Sequence, residues 1–260
     1  MNEALSRGLP TPNERVTFGI LHEDADLLVV TKPGGIVTQP GVGHEHDTLL
    51  NGLFARYGER LAQVGQRRDY GLVHRLDRET SGVLAVALSV RAYDGLRALF
   101  EAREIRKFYW AACIKGPRED DGVVKRAIAE KVRRLDKYRS EKTAQLIRAG
   151  GASGGGKAAI TAWRVLQRTD LGALIEARPV TGRLHQVRVH LASIGAPVAG
   201  DAVYGPNHAE AASKRLALHA HRLSFEHPIT GEAIDARAPW PRDLTNVLKR
   251  MDLDKPIEGR

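Results

Sequence analysis

The chain has 260 residues, which is enough for one large domain or for two small ones. Lys and Arg outnumber Asp and Glu by 40 to 31, and the formal net charge of +9 favours a polyanionic partner such as nucleic acid or the ribosome. Cys113 is the only cysteine, which excludes an internal disulfide and a metal site built from several thiolates, and which fits a reducing compartment.

The N-terminal part begins with a polar stretch. Residues 1–16 are expected to form a flexible tail, and they lack the charged, apolar and small-residue pattern of a secretion signal. A short strand is predicted over residues 27–31, where it ends in a Pro-Gly-Gly turn. Asp47 is predicted to cap a helix that Gly58 closes.

The next three predicted elements are a strand, a helix and a second strand, and the first of them is strongly apolar. VLAVAL at residues 83–88 is typical of a buried central strand, and it is much too short to cross a bilayer. A helix is predicted over residues 89–103, followed by a strand over residues 107–116. With no membrane span and no secretion signal, we expect a cytoplasmic protein.

The C-terminal half begins with a change of composition. Residues 117–157 are densely basic and then rich in Gly and Ser, so we interpret them as a surface insertion. Two strands are predicted over residues 158–166 and 172–180. A helix is predicted over residues 181–195, with Thr181 as its N-cap.

Strands joined mostly by non-helical connections and interrupted by a few helices indicate an α+β fold, with a mixed, mostly antiparallel sheet and helices packed on it. We expect one domain over residues 17–245 and a C-terminal tail over residues 246–260.

Two patterns invite a functional interpretation that the residues do not support. GASGGGKA at residues 151–158 resembles a phosphate-binding loop, but Ala158 replaces the required Ser or Thr, and a flexible linker explains it better. The pairs His44/His46 and His219/His221 lack the further ligands that zinc needs. We therefore expect no nucleotide, no metal and no cofactor.

The segment GLVHRLDRETSG at residues 71–82 carries the clearest chemical signal. It places Asp77 between two arginines, which stabilise an ionised carboxylate, the form that a nucleophile requires. An ordinary capped turn with a surface ion pair would have the same local sequence, so the residues alone leave both interpretations open.

HRLDRETSG resembles the signature of the RluA-type, large-subunit ribosomal RNA class of pseudouridine synthases. Five further segments resemble that family in the same order, and they are VVTKPGGIVTQPG, REIRKFYWAACIKG, GKAAITAWRVL, RPVTGRLHQVRVHLASIGAPVAGDAVYG and LALHAHRLSFEHPITGE. The resemblance implies a pseudouridine synthase fold with a central catalytic cleft. It covers most of residues 20–245, with too few residues ahead of it for the small RNA-binding domain of many relatives.

The resemblance also implies roles for individual residues. Asp77 would be the catalytic aspartate, Tyr109 the tyrosine that packs against uracil, and Arg183 the cation paired with Asp77. Leu184 departs from the family pattern, which usually has Thr at that position. The residues expected to contact RNA are His74, Arg75, Arg78, Thr80, Lys107, Gln186 and Arg188. A wider basic face would add Arg91, Arg97, Arg103, Arg106 and residues 125–142.

The implied function is isomerisation of uridine to pseudouridine in structured RNA, without a cofactor. Large-subunit ribosomal RNA is the expected substrate, with a transfer RNA loop as the alternative, and we expect a monomer. The competing hypotheses are a nucleotide hydrolase built on residues 151–158 and a ribosome-assembly protein that binds RNA without catalysis.

Overall fold

A computed structural model describes residues 8–131, 146–149, 156–206 and 212–256. The chain divides into two compact units. The first comprises Met1–Ile105 and Arg222–Ala238, and the second comprises Arg106–His221 and Pro239–Arg260. The single domain predicted over residues 17–245 is therefore built from two units, each of which has its own core.

The described part of the chain contains eleven strands and four α-helices. In chain order these are β1 (Gly19–Glu23), β2 (Leu27–Lys32), α1 (Leu49–Val64), β3 (Ser81–Ala87), α2 (Val90–Ala102), β4 (Arg106–Cys113), β5 (Asp121–Lys125), β6 (Ile128–Lys131), β7 (Leu146–Ala149), β8 (Ile160–Thr169), β9 (Gly172–Pro179), α3 (Gln186–Ser193), β10 (Leu218–Glu226), β11 (Ala233–Arg237) and α4 (Thr245–Arg250). Short 3-10 helices cover Gln66–Gly71 and Arg242–Leu244. The α+β prediction is confirmed.

In the first unit the strand order is β1-β2-β3, followed by residues 222–226 of β10, which also pair with β11. The pairs β1/β2, β2/β3 and β10/β11 are antiparallel. All seven residues of β3 are buried, as predicted for a central strand. Its apolar side chains join those of β2, α2 and β10 in one core.

The helix predicted after Asp47 begins and ends elsewhere. Thr48 is the N-cap, and its side chain and that of Asn51 each accept a hydrogen bond from the other's backbone N–H. The helix bends at Tyr57 but continues beyond Gly58 to Val64. The helix predicted over residues 89–103 is confirmed, with Ser89 as its N-cap.

In the second unit the strand order is β10-β4-β9-β8-β5, and β6 pairs with β7 as a separate hairpin. Within the predicted insertion, residues 121–125 form β5, which pairs with β8 in the main sheet. Within the predicted C-terminal tail, Val247, Leu248 and Leu253 are buried in the core of this unit. The phosphate-loop-like residues 151–155 lie outside the described part of the chain.

In the portion of the chain that the structure describes, no helix is both long enough and apolar enough to span a membrane.

Candidate active site

Asp77 lies in the first unit, in the connection between the 3-10 helix at Gln66–Gly71 and β3, and its side chain is half-buried. Both backbone polar groups of Leu76, the residue before Asp77, are hydrogen-bonded. The hydroxyl of Thr38 donates to the carbonyl oxygen of Leu76 at 2.9 Å and accepts from the Leu76 N–H at 3.3 Å. The Thr80 N–H donates to the Asp77 carbonyl oxygen at 3.1 Å and closes the turn.

The residue after Asp77 is held by a buried ammonium group. Lys32 is only 1% exposed, and its Nζ donates to the carbonyl oxygens of Pro33, Ile36 and Arg78 at 2.9, 2.7 and 3.0 Å. The N–H of Gly35 adds a second bond to the Arg78 carbonyl at 2.9 Å. These bonds fix the backbone on both sides of Asp77.

The four residues of this segment that were expected to contact RNA differ in accessibility. Arg75 and Arg78 are exposed, although Arg78 also donates to the Gly35 carbonyl at 3.1 Å. His74 accepts the Ala85 N–H at 3.0 Å through Nε2, which attaches the segment to β3. Thr80 is 2% exposed. The RNA contacts expected of these four residues stay predictions, and His74 has a structural bond that the sequence did not indicate.

Tyr109 and Lys107 lie in β4 of the second unit, two residues apart and hence on the same face of the strand. Tyr109 is half-buried, and its Cα is paired with Ala177 of β9. Lys107 is turned inward, and its Nζ donates to the carbonyl oxygen of Thr181 at 3.2 Å. Burial lowers the pKa of Lys107 from 10.5 to about 8. The RNA contact expected of Lys107 stays a prediction, and in the structure its ammonium is bonded to the protein backbone.

The pKa of Lys107 leads to a testable dependence of stability on pH. Between about pH 8 and pH 10.5 the unfolded chain binds more protons at this residue than the folded chain, so folding becomes more favourable as the pH rises. Lys107→Met removes this contribution. The unfolding free energy of the wild type minus that of the variant should increase from pH 8 to pH 10 in urea titrations. A constant difference would contradict the lowered pKa.

The loop at residues 180–185 carries Arg183 between β9 and α3. The sequence predicted Thr181 as the N-cap, but the helix begins at Gln186 and is preceded by His185 in the left-handed region, with φ of 53°. Arg183 is thus ahead of the helix, not in its first turn. Its Nε donates to the Ala158 carbonyl oxygen at 3.2 Å, and its backbone N–H donates to Oε1 of Gln186 at 3.0 Å.

Gln186 and Arg188 lie in the interior, and the RNA contact expected of them stays a prediction. Gln186 is 4% exposed and bridges the loop to β8, because Oε1 accepts from Thr181 Oγ1 at 2.7 Å and Nε2 donates to Ile160 and Thr161. Arg188 forms a two-bond ion pair with buried Asp201 at 2.8 and 2.7 Å. Both side chains support α3.

Sequence reasoning missed a charged network on the opposite face of β4. Glu176 is buried opposite Trp110, and Arg164 and Arg178 both pair with its Oε1. His221 stacks on Trp110 and lies 3.5 Å from Oε2 of Glu176. Burial raises the pKa of Glu176, but the hydrogen bonds and positive charges around it prevail and lower the pKa to about 2. A carboxylate in the middle of a strand gave no signal that Arg178, two residues along β9, and Arg164 of the neighbouring strand would both pair with it.

Several other predicted basic contacts are also engaged within the protein. Arg91 pairs with buried Asp26, and Arg97 pairs with Glu101 one helical turn away. Arg103 and Arg106 are exposed, as the RNA-contact hypothesis requires. The basic residues 132–142 lie outside the described part of the chain.

The structure defines an α+β protein. Its first unit carries Asp77 in a turn whose backbone is held by hydrogen bonds. Its second unit carries Tyr109 on β4 and Arg183 in the loop between β9 and α3. Comparison with known proteins identifies the class. A sequence model described as RNA pseudouridylate synthase matches residues 26–193. Because this match covers more than half of the chain, the chain belongs to the RNA pseudouridine synthase family, whose members are isomerases acting on RNA.

Individual relatives agree with this assignment. The chain is 38% identical over 251 residues to ribosomal large subunit pseudouridine synthase D of Zymomonas mobilis, covering 93% of this chain and 76% of the relative. For the protein of the same name from Nitrosomonas europaea the identity is 37% over 243 residues, with 91% and 66% covered. The chain thus spans two thirds to three quarters of the length of these relatives.

A solved structure extends the similarity to the fold. Human RNA pseudouridylate synthase domain containing 4 is 28% identical and superposes with a TM-score of 0.68, which covers 92% of this chain and 95% of that one. The fold of this chain is therefore similar to that of the human protein over nearly its whole length.

Proposed function

We propose that this chain isomerises uridine to pseudouridine in large-subunit ribosomal RNA, with Asp77 as the nucleophile and without a cofactor, and that it acts in the cytoplasm as a monomer. The single observation that carries the proposal is the anchoring of Asp77 within HRLDRETSG, with bonds to the backbone of Leu76 and of Arg78. The choice of RNA rests on the names of the relatives from Zymomonas mobilis and Nitrosomonas europaea.

The reaction breaks the bond between N1 of uracil and C1′ of ribose and forms a bond from C5 to C1′. N1 gains a proton and C5 loses one, so the reaction needs no oxidant, reductant or energy source. A stacked uridine must first be flipped out, at a cost of about a few kcal/mol. Asp77 either attacks C1′ or assists cleavage by removing a ribose proton, and in both routes its carboxylate stabilises positive character at the sugar.

Tyr109 and Arg183 complete the proposed site. Tyr109 packs against the flipped base and assists the proton transfers, and the half-buried position of its ring on β4 suits that role. Arg183 is proposed to pair with the Asp77 carboxylate and keep it ionised in a partly desolvated site. Asp77 belongs to the first unit and Arg183 to the second, so this pairing stays a prediction.

The experiment that tests the function maps pseudouridine in total RNA from cells with and without the gene. The proposal expects loss of one or more sites in large-subunit ribosomal RNA, and restoration of those sites when purified protein is added to the unmodified RNA. Loss confined to transfer RNA would identify the alternative substrate. An unchanged map, with no product from purified protein, would refute the synthase assignment.

A further inference from the structure

The loop that carries Arg183 is attached to a second segment of the same unit. Arg183 Nε donates to the carbonyl oxygen of Ala158, which lies just ahead of β8. An arginine has five N–H donors in a planar fork. Using Nε on a backbone oxygen restricts the plane of the guanidinium, because Nε and one Nη group share the edge that faces that oxygen and the other Nη group lies on the far side. The position of Ala158 therefore sets the direction in which Arg183 presents its charge.

Ala158 is in turn positioned by the start of the β6–β7 hairpin. Its neighbour Lys157 exchanges two backbone hydrogen bonds with Ile128, each of 3.0 Å. The hairpin is held to α3 as well, because Nε2 of buried His190 bonds to the carbonyl oxygen of Arg126 at 3.1 Å. Burial lowers the pKa of His190.

An apolar contact joins the same two segments. Ile128 is 2% exposed and forms a small buried cluster with Ala159 and Val189. Leu184, the residue after Arg183, packs against this cluster together with Tyr204. A hydroxyl-bearing residue at position 184 would supply less apolar surface to this contact, so Leu184 is suited to the neighbours that it has in this chain.

We propose that Ile128 and Leu184 are positioning residues for Arg183, holding the loop at residues 180–185 against the hairpin so that the guanidinium keeps its bond to Ala158. This inference rests on the proposed function, because the catalytic role of Arg183 is itself proposed. Shortening either side chain opens space beneath the loop and lets Arg183 leave its orientation. A displacement of about 1 Å at a catalytic group costs up to about a hundredfold in rate.

The test compares Ile128→Ala and Leu184→Ala with the milder Ile128→Val and Leu184→Ile, in the full-length chain and at temperatures at which each variant is folded by circular dichroism. We expect kcat to fall about tenfold in the Ala variants with KM for RNA changed less than about twofold, and the mild variants to recover most of kcat. Ile194→Ala is the matched control, since Ile194 is a partly buried apolar residue that follows α3 outside this cluster. It should leave kcat unchanged.

Combination with Arg183→Ala separates positioning from a general structural role. In that background, Ile128→Ala should cause no further loss of kcat, because the residue through which it acts is absent. Additive losses, an unchanged kcat in both Ala variants, or an equal loss in Ile194→Ala would each overturn the inference. Normal activity of Arg183→Ala alone would instead overturn the proposed role of Arg183.

Discussion

Asp77→Asn should abolish pseudouridine formation while leaving RNA binding almost intact. Asn has the same shape as Asp but carries no charge and is a poor nucleophile, and losses of about four orders of magnitude are typical when a central catalytic aspartate is removed. The fold should persist, because the turn is held by the backbone bonds of Leu76, Arg78 and the Asp77 carbonyl. Product is measured by mass spectrometry on a ribosomal RNA fragment, and binding by fluorescence anisotropy.

Glu79→Gln is the matched control for this experiment. Glu79 lies two residues further along the same turn and forms an ion pair with Arg78 at 3.6 Å, so its substitution changes the net charge of the segment by the same amount. Product formation by Glu79→Gln should stay within about threefold of the wild type, because an exposed ion pair of this kind contributes little. Normal product from Asp77→Asn would refute the assignment of the nucleophile. Equal losses in both variants would point to the charge of the turn instead.

The parts of the fold that could be predicted from the sequence are those in which local pattern and tertiary environment agree. VLAVAL forms the fully buried β3 because an unbroken apolar run satisfies both faces of a central strand. The helix after Ser89 was found because its cap and its apolar positions are local features. β1 was missed, since its alternating exposed and half-buried residues give a weak apolar signal.

The start of α3 could not be predicted because the decisive partners are distant in sequence. Thr181 has the side chain of an N-cap, but its hydroxyl accepts the Ile160 N–H and donates to Gln186, so it serves the strand and not the helix. Arg188 belongs to the segment that resembles the family and was expected to contact RNA. In the structure it pairs with Asp201, thirteen residues away, and nothing local indicates that both are buried.

The candidate site also contains features that the local sequence indicated and features that it did not. Local sequence indicated an aspartate between two arginines, and only the family resemblance connected it with Tyr109 and Arg183. The hydrogen bonds from Lys32 that hold the backbone next to Asp77 were not predicted. Lys32 was taken as part of a strand and its following turn, and lysine is among the residues least often buried. Its burial depends on three carbonyl oxygens that converge from residues 33, 36 and 78.

Lys32→Met should therefore cause the largest loss of stability among these variants. The substitution keeps a long apolar side chain in the space but removes the donor for three carbonyl oxygens in a buried site. The Arg78 carbonyl keeps its bond from the Gly35 N–H, so the carbonyl oxygens of Pro33 and Ile36 are the two that lose their donor. Each unsatisfied buried group costs about 1–3 kcal/mol, so the free energy of unfolding should fall by about 2 kcal/mol or more in urea titrations. Lys115→Met, which removes the same charge from an exposed position, should change it by less than about 0.5 kcal/mol.

The same variant should also reduce activity at temperatures at which it remains folded, because the Arg78 carbonyl is one of the three acceptors and adjoins Asp77. Amide hydrogen exchange gives a direct measure of that coupling. The Gly35 N–H bonds to the same carbonyl. Its exchange rate should increase from the wild type to Lys32→Met by a larger factor than the exchange rates of the amides of β2 and β3. If stability falls but exchange at Gly35 and product formation do not change, Lys32 stabilises the first unit without orienting Asp77. If stability, exchange at Gly35 and product formation all change, the Lys32 ammonium both stabilises the first unit and orients Asp77.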